Sequence, residues 1–286
     1  MRTVQVAAVQ MACSRDRRAN IEKAEGFVRG AAAAGANIIL LQELFQSVYF
    51  CQKEKYEYFS LAKTIEDDPA IRRFSAVAKE LHVVLPISFY EACCNTAFNS
   101  LVVIDADGSV METYRKTHIP DGHCYEEKFY FSPGDTGFKV WDTAFAKIGV
   151  GICWDQWFPE TARCLALLGA EIFLFPTAIG SEPVLELDSQ PHWQRAMQGH
   201  AAANIVPVVA ANRVGMETED DSSMTFYGSS FITDETGGIL ASANRESECF
   251  ISASLDLDEI ALRRRGWGVF RDRRPEMYHG LFGFGK

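Results

Sequence analysis

The sequence predicts an α/β fold in which two sheets pack face to face with helices on their outer faces, an α-β-β-α layering. Three observations carry this reading. Short β-rich runs alternate with helical runs along the whole chain. Residues Ile38 to Leu41 are continuously apolar, as expected of a strand covered on both faces. The last third shifts to strand-and-turn patterning, so βα units give way to hairpins.

Taken in order, Thr3 to Val9 alternates as a strand. Ile21 to Ala34 is Ala-rich and helical, and Gly35 is placed to end it. Asp68-Pro69 opens a helix with Ile71, Phe74, Val77, Ala78 and Leu81 at helical spacing. His82 to Phe89 reads as a strand, and Ala97 to Asp105 with Val110 to Tyr114 flanks Asp107-Gly108 as a hairpin. Lys147 to Cys153 is a strand, Phe158 to Leu168 a helix stopped by Gly169, and Glu171 to Phe175 a strand. His192 to Asn204 is a helix and Val206 to Ala210 a strand. Tyr227 to Thr233, Gly238 to Ser242 and Cys249 to Leu255 read as antiparallel strands around Thr236-Gly237-Gly238.

The chain has 286 residues, 48% of them hydrophobic, enough for a large core. No Pro/Ser linker divides it, so residues 1–286 are expected to form a single domain with an extended C-terminal tail from about 263. A net charge of −10 argues against a general nucleic-acid partner. The apolar runs are too short to span a bilayer, and MRTVQVAAVQMACS reads as a strand rather than a signal peptide. A soluble protein without a membrane partner is expected. The eight cysteines form no CxxC pair and no Asn-x-Ser/Thr site occurs, which favours a reducing cytoplasm. The six scattered histidines make no metal motif, and no metal is expected. Gly149-Val150-Gly151 lacks a third glycine and reads as close packing rather than a dinucleotide loop.

Three segments place reactive groups where apolar strands end, the usual location of function in α/β proteins. In Ile39-Leu40-Leu41-Gln42-Glu43, the carboxylate follows a buried run; alone it reads first as a salt-bridged strand terminus. In Tyr114-Arg115-Lys116-Thr117-His118, a basic pair precedes a proline, and alone Lys116 is ordinary surface. In Gly151-Ile152-Cys153-Trp154-Asp155, a thiol sits between a strand and a helical turn whose N–H groups could stabilise a thiolate. A buried cysteine acting as a small hydrophobe is the competing reading.

Together, and in this order, the segments resemble the nitrilase superfamily of carbon–nitrogen hydrolases, from Val9-Gln10 through Trp267-Gly268. The resemblance implies a four-layer-forming α-β-β-α sandwich, no cofactor, and a homodimer or higher homo-oligomer. Its Glu, Lys and Cys match Glu43, Lys116 and Cys153. A second family glutamate aligns with Glu127, which precedes a basic residue and an aromatic run; Glu126 is the other choice. Four stretches also resemble the branch that hydrolyses N-carbamoylputrescine: residues 44–52, His118-Ile119-Pro120-Asp121-Gly122, residues 176–183 and residues 192–200. His123-Cys124 departs from that branch, where Pro and Gly are expected, and puts the shape of the neighbouring loop in question.

The resemblance assigns roles. A urea-type carbonyl is a poor electrophile, so a soft nucleophile helps, and Cys153 supplies it. Glu43 takes the thiol proton and later activates water, while Lys116 and the Trp154 N–H face the developing oxyanion. One such donor is typically worth about 3 kcal/mol of barrier. Glu127 holds Lys116, or is a plain structural ion pair. Lys116 should lower the thiol pKa while Glu43 and burial raise it, in a coupled titration. The small cationic substrate carries a distal ammonium, for which Glu182 is the candidate selector, with Tyr49, Trp154 and Ala178 lining an alkyl channel. Asp155 is a weaker candidate for orienting the site, because helix N-termini attract acids without catalytic purpose. The alternatives are another amidase or N-carbamoyl amino acid hydrolase of the superfamily, or a non-catalytic scaffold with the same fold. Arg263, Arg264, Arg265, Arg271, Arg273 and Arg274, interleaved with Trp267 and Phe270, are read as a packed tail with paired arginines. His192 and His200 are read as core or interface residues.

Overall fold

The computed structural model describes residues 2–181 and 186–284. The chain begins with β1 (Thr3–Gln10), α1 (Arg17–Ala33) and β2 (Ile38–Leu40), followed by α2 (Pro69–Leu81), β3 (Leu85–Cys93), β4 (Thr96–Ile104) and β5 (Val110–Arg115). After the short α3 (Glu127–Tyr130) come β6 (Val140–Asp142), β7 (Lys147–Val150), α4 (Pro159–Leu167), β8 (Ile172–Pro176), α5 (Gln190–Asn204) and β9 (Val208–Ala211). The last part holds β10 (Val214–Glu219), β11 (Ser222–Tyr227), β12 (Phe231–Thr233), β13 (Ile239–Ser242), β14 (Cys249–Asp256) and α6 (Leu257–Trp267).

One sheet has the order β14-β1-β2 and continues into β3-β4-β5 through a parallel bridge between Ile38 and Val84. The other runs β13-β12-β9-β8-β7-β6, with a parallel centre and antiparallel flanks. Period-two alternation decides which layer each side chain joins. Val4, Val6 and Ala8 of β1 meet Ile148, Val150 and Leu174 of the second sheet in the central core. Ala7 and Val9 face the opposite way, onto Val28 of α1 and Phe74 of α2. Phe173 and Phe175 of β8 pack on Leu165 of α4 and Trp193 and Met197 of α5. The layering is α-β-β-α.

Several boundaries differ from expectation, each for a local reason. Helix α1 starts at Arg17 rather than Ile21 because the Asp16 side chain accepts from Ala19 N and caps it. His82 does not begin a strand. It adopts φ +53° as the left-handed cap of α2, and β3 starts at Leu85. The strand before the cysteine stops at Val150, and Cys153 opens a 3₁₀ turn. Tyr227 to Thr233 is not one strand. Gly228 and Ser229 both have positive φ, ending β11 and turning the chain into β12, while Gln10 packs under Gly228 and accepts from Ser230 N. Strand β10, which the sequence reading missed, pairs with β11 in a separate hairpin. β12 and β13 form the expected hairpin, but β14 crosses to the first sheet and lies antiparallel to β1. Helix α6 extends to Trp267, so the tail starts at Gly268 rather than near 263.

Gly149 and Gly151 mark close packing. A Cβ at Gly149 would lie 3.0 Å from both Leu165 and Ala170, and one at Gly151 would lie 2.8 Å from Phe175. In the tail region Arg263 pairs with Glu235 and Glu259, and Phe270 lies under Arg163, but Trp267 is 72% exposed. The packed-tail expectation therefore holds only for part of the segment. His200 is buried and bonded to Gln156 O at 2.6 Å, whereas His192 is exposed against Trp157.

Candidate active site

Glu43 follows β2 and Lys116 follows β5, both in the first sheet, while Cys153 follows β7 in the second. Lys116 and both carboxylates beside it have no exposed surface. The Lys116 ammonium donates to Glu43 Oε1 at 2.8 Å and to Glu127 Oε2 at 2.7 Å. Charge pairing on this scale is what permits a fully buried ammonium. The carboxylate that reaches Lys116 is that of Glu127; Glu126 is half-buried and donates its backbone N–H to Cys51 O.

Each carboxylate is held by a further donor. Asn99 of β4 donates to Glu43 Oε1 at 2.7 Å, leaving buried Glu43 Oε2 without a partner among the described residues. Tyr49 donates to Glu127 Oε1 at 2.6 Å. A buried acceptor with no partner is costly in a resting protein, and such an oxygen is suited to receive a proton.

Cys153 is 5% exposed and sits at φ +42°, a strained value for a side chain with a Cβ. Its thiol lies 3.9 Å from Ala178 O. The turn is fixed by Asp155, whose carboxylate has no exposed surface. Asp155 Oδ2 accepts from Ile152 N (2.9 Å) and Tyr114 OH (2.7 Å); Oδ1 accepts from His118 N (3.0 Å) and contacts His118 Nδ1 at 2.7 Å. These bonds tie the residue before Cys153 to positions two before and two after Lys116, across the two sheets. His118 in turn stacks on Phe158 with ring centroids 3.6 Å apart. Asp155 thus has a far more specific place than an acid attracted to a helix end.

Burial pushes the Cys153 thiol well up from its ordinary value, Glu43 adds to this, and Lys116 opposes it. These influences favour the neutral thiol, so attack by the sulfur calls for a base. Burial works against the charge on Lys116, but Glu127 and Glu43 outweigh it and hold the ammonium pKa well above normal. Burial raises Glu127, with Lys116 opposing. The arrangement offers a thiol, an adjacent carboxylate and a permanent cation, the set required for acyl transfer.

Of the expected substrate-lining residues, Tyr49 is buried, packed edge-on against Tyr125 and Phe226, and its hydroxyl is engaged by Glu127. Ala178 is buried beside the thiol, and Trp154 is 39% exposed. Glu182 lies outside the described residues. Asn99, Arg213 and Glu217 were not anticipated. Arg213 donates to the carbonyls of Glu43 and Leu44, and Glu217 accepts from Tyr49 N. No spacing signal marks them, since these contacts span more than 50 residues for Asn99 and more than 160 for the other two.

Comparison with known proteins identifies the family. The Carbon-nitrogen hydrolase family model matches residues 5–265. An N-carbamoylputrescine amidase of Arabidopsis thaliana is 56% identical, covering 98% of this chain and 95% of that protein. A citrullinase of Francisella tularensis is 54% identical, covering 97% of this chain and 98% of its own length. The crystal structure of a carbon-nitrogen hydrolase from Helicobacter pylori superposes with a TM-score of 0.93 at 38% identity, covering 99% of this chain and 100% of the other. With its buried thiol, lysine and paired carboxylates, and with a family match over most of its length, this chain belongs to the carbon-nitrogen hydrolases.

Proposed function

We propose that the protein hydrolyses N-carbamoylputrescine to putrescine, ammonia and carbon dioxide. The observation that carries this reading is the buried Lys116, paired to Glu43 and Glu127 beside Cys153, in a chain 56% identical to an N-carbamoylputrescine amidase. Cys153 gives its proton to Glu43 as sulfur bonds to the ureido carbon, and the carbonyl electron pair moves onto oxygen facing Lys116 Nζ and the Trp154 N–H. Collapse breaks one C–N bond, and the departing nitrogen takes the proton from Glu43. Water then adds to the acyl-enzyme with Glu43 again taking the proton, the C–S bond breaks, the thiol is restored, and the released carbamic acid loses carbon dioxide. Glu127 keeps Lys116 charged and in place.

A second reading, hydrolysis of L-citrulline, is favoured by the 54% identical citrullinase. Citrulline has the same ureido group and a similar distal ammonium, but adds a carboxylate beside it. The deciding measurement is ammonia release from N-carbamoylputrescine, L-citrulline, N-carbamoyl-β-alanine and a simple aliphatic amide. Preference for the first supports the proposal, and preference for citrulline replaces it with the second reading. Turnover only of the last two discards an ammonium selector, and inactivity on all four brings back the scaffold. Glu182, the proposed selector, is tested in the same assay: Glu182→Gln should weaken both ammonium-bearing substrates and spare the aliphatic amide.

The proposal includes action in a reducing cytosol as a homodimer or larger homo-oligomer. The family resemblance supports assembly, as do Trp267, Leu281 and Phe282, exposed on α6 and the tail. Light scattering of the purified protein tests it, a monomeric mass being the contrary result. No helix among the described residues is long and apolar enough to cross a membrane.

A further inference from the structure

The segment from Glu43 to Tyr49 reaches the site from the first sheet, yet its backbone is gripped by a side chain from the second. Arg213 lies in the connection between β9 and β10 and has no exposed surface. Its Nη2 donates to Glu43 O (3.2 Å) and Leu44 O (3.0 Å), and its Nη1 to Ser47 O (2.9 Å) and Glu217 Oε1 (2.7 Å). The second oxygen of Glu217 accepts from Tyr49 N at 2.5 Å. The guanidinium also lies over the rings of Phe226 and Tyr49, at 5.4 and 6.0 Å. Leu44, immediately after Glu43, is held at φ +48°, where a leucine is strained.

We propose that Arg213, together with Glu217, is a positioning residue for the reaction, holding the Leu44 kink that aims Glu43 and the backbone of Tyr49, whose hydroxyl fixes Glu127. One guanidinium thereby sets both carboxylates that flank Lys116. Its hydrogen bonds go to the loop and to Glu217, so it acts through them rather than on the substrate. A planar fork can grip several carbonyls at once, which a lysine ammonium on its flexible stem reproduces poorly. A buried ion pair is a weak source of net stability compared with apolar packing, which directs attention to geometry as its purpose.

This inference rests on the hydrolase reading, so its test includes a substrate-independent arm. Arg213→Lys and Glu217→Gln are compared with Glu43→Gln by kcat and KM on N-carbamoylputrescine and by the pH profile of Cys153 alkylation with iodoacetamide. Folding is followed by circular dichroism. A shift of Glu43 away from its aligned position should lower kcat about 10- to 100-fold, as misplacement of catalytic groups does, with KM changed less than about threefold. The alkylation profile should move toward lower pH, in the direction shown by Glu43→Gln, because a carboxylate that raises the thiol pKa has withdrawn. Folded variants with unchanged kcat and an unmoved profile overturn the proposal, as does failure of both variants to fold, which would assign the pair to folding alone. If wild type leaves N-carbamoylputrescine intact, the substrate reading fails and the alkylation arm decides this one.

Discussion

At Cys153 the opposing influences on one thiol can be ranked. Burial and Glu43 raise its pKa, and Lys116 lowers it without prevailing. Glu43→Gln therefore has two opposite consequences. Loss of the base should cut turnover by about 10²- to 10⁴-fold. The thiol itself should become more acidic, since the carboxylate that raises it is gone and Lys116 remains. Ultraviolet thiolate absorbance followed against pH reads the second effect directly. A titration unchanged or moved to higher pH would mean that Glu43 is not the charge that keeps the sulfur protonated. Lys116 keeps Glu127 as a carboxylate partner, at 2.7 Å.

At the level of elements, the site depends on how closely α4 approaches β7. The cysteine turn lies between them, and Gly149 permits the contact. Gly149→Ala would force its new methyl to within 3.0 Å of Leu165 and Ala170. Overpacking of this kind costs about 1–3 kcal/mol. The expected result is a melting midpoint lower by several degrees, at roughly 2–4 °C per kcal/mol for a domain somewhat smaller than this. Calorimetry decides it, and an unchanged midpoint would show that α4 can slide away freely. The turn is also braced from α5, where Trp193 Nε1 donates to Gln156 Oε1, and from the end of β8, where Thr177 Oγ1 donates to the same oxygen. Bracing from both sides is consistent with the strained φ at Cys153 being over-determined by its surroundings.

Across the whole molecule, His200 couples stability to pH. Burial holds its pKa below the ordinary 6.5, and the bond to Gln156 O opposes this only in part. The folded protein thus keeps the ring neutral at pH values where the unfolded chain has begun to bind a proton. Its contribution is complete above pH about 6.5 and is lost as pH falls from there toward the depressed folded value. Urea midpoints at pH 7.5 and 5.5 (roughly one unit either side of the free histidine) should separate more for the native chain than for His200→Asn. Equal separations would place the acid sensitivity elsewhere.

The sequence alone determined the layers and the chemical inventory. Period-two runs such as Val4, Val6 and Ala8, and helical runs such as Ile71, Phe74 and Val77, expose their buried faces as local patterns, which is why the α-β-β-α order was legible. Glu43, Lys116 and Cys153 were legible as groups at strand ends, and Glu127 only through the resemblance to a family; the structure brings Glu43, Lys116 and Glu127 into direct contact. Tertiary structure decided what aims them. Asn99, Arg213 and Glu217 act on residues far away in sequence, and a hydrogen bond across two sheets leaves no periodic trace. It also decided where β14 pairs. An apolar strand near the C-terminus reads the same whether it joins its neighbouring hairpin or crosses to β1, and only the packing of the two sheets selects between them.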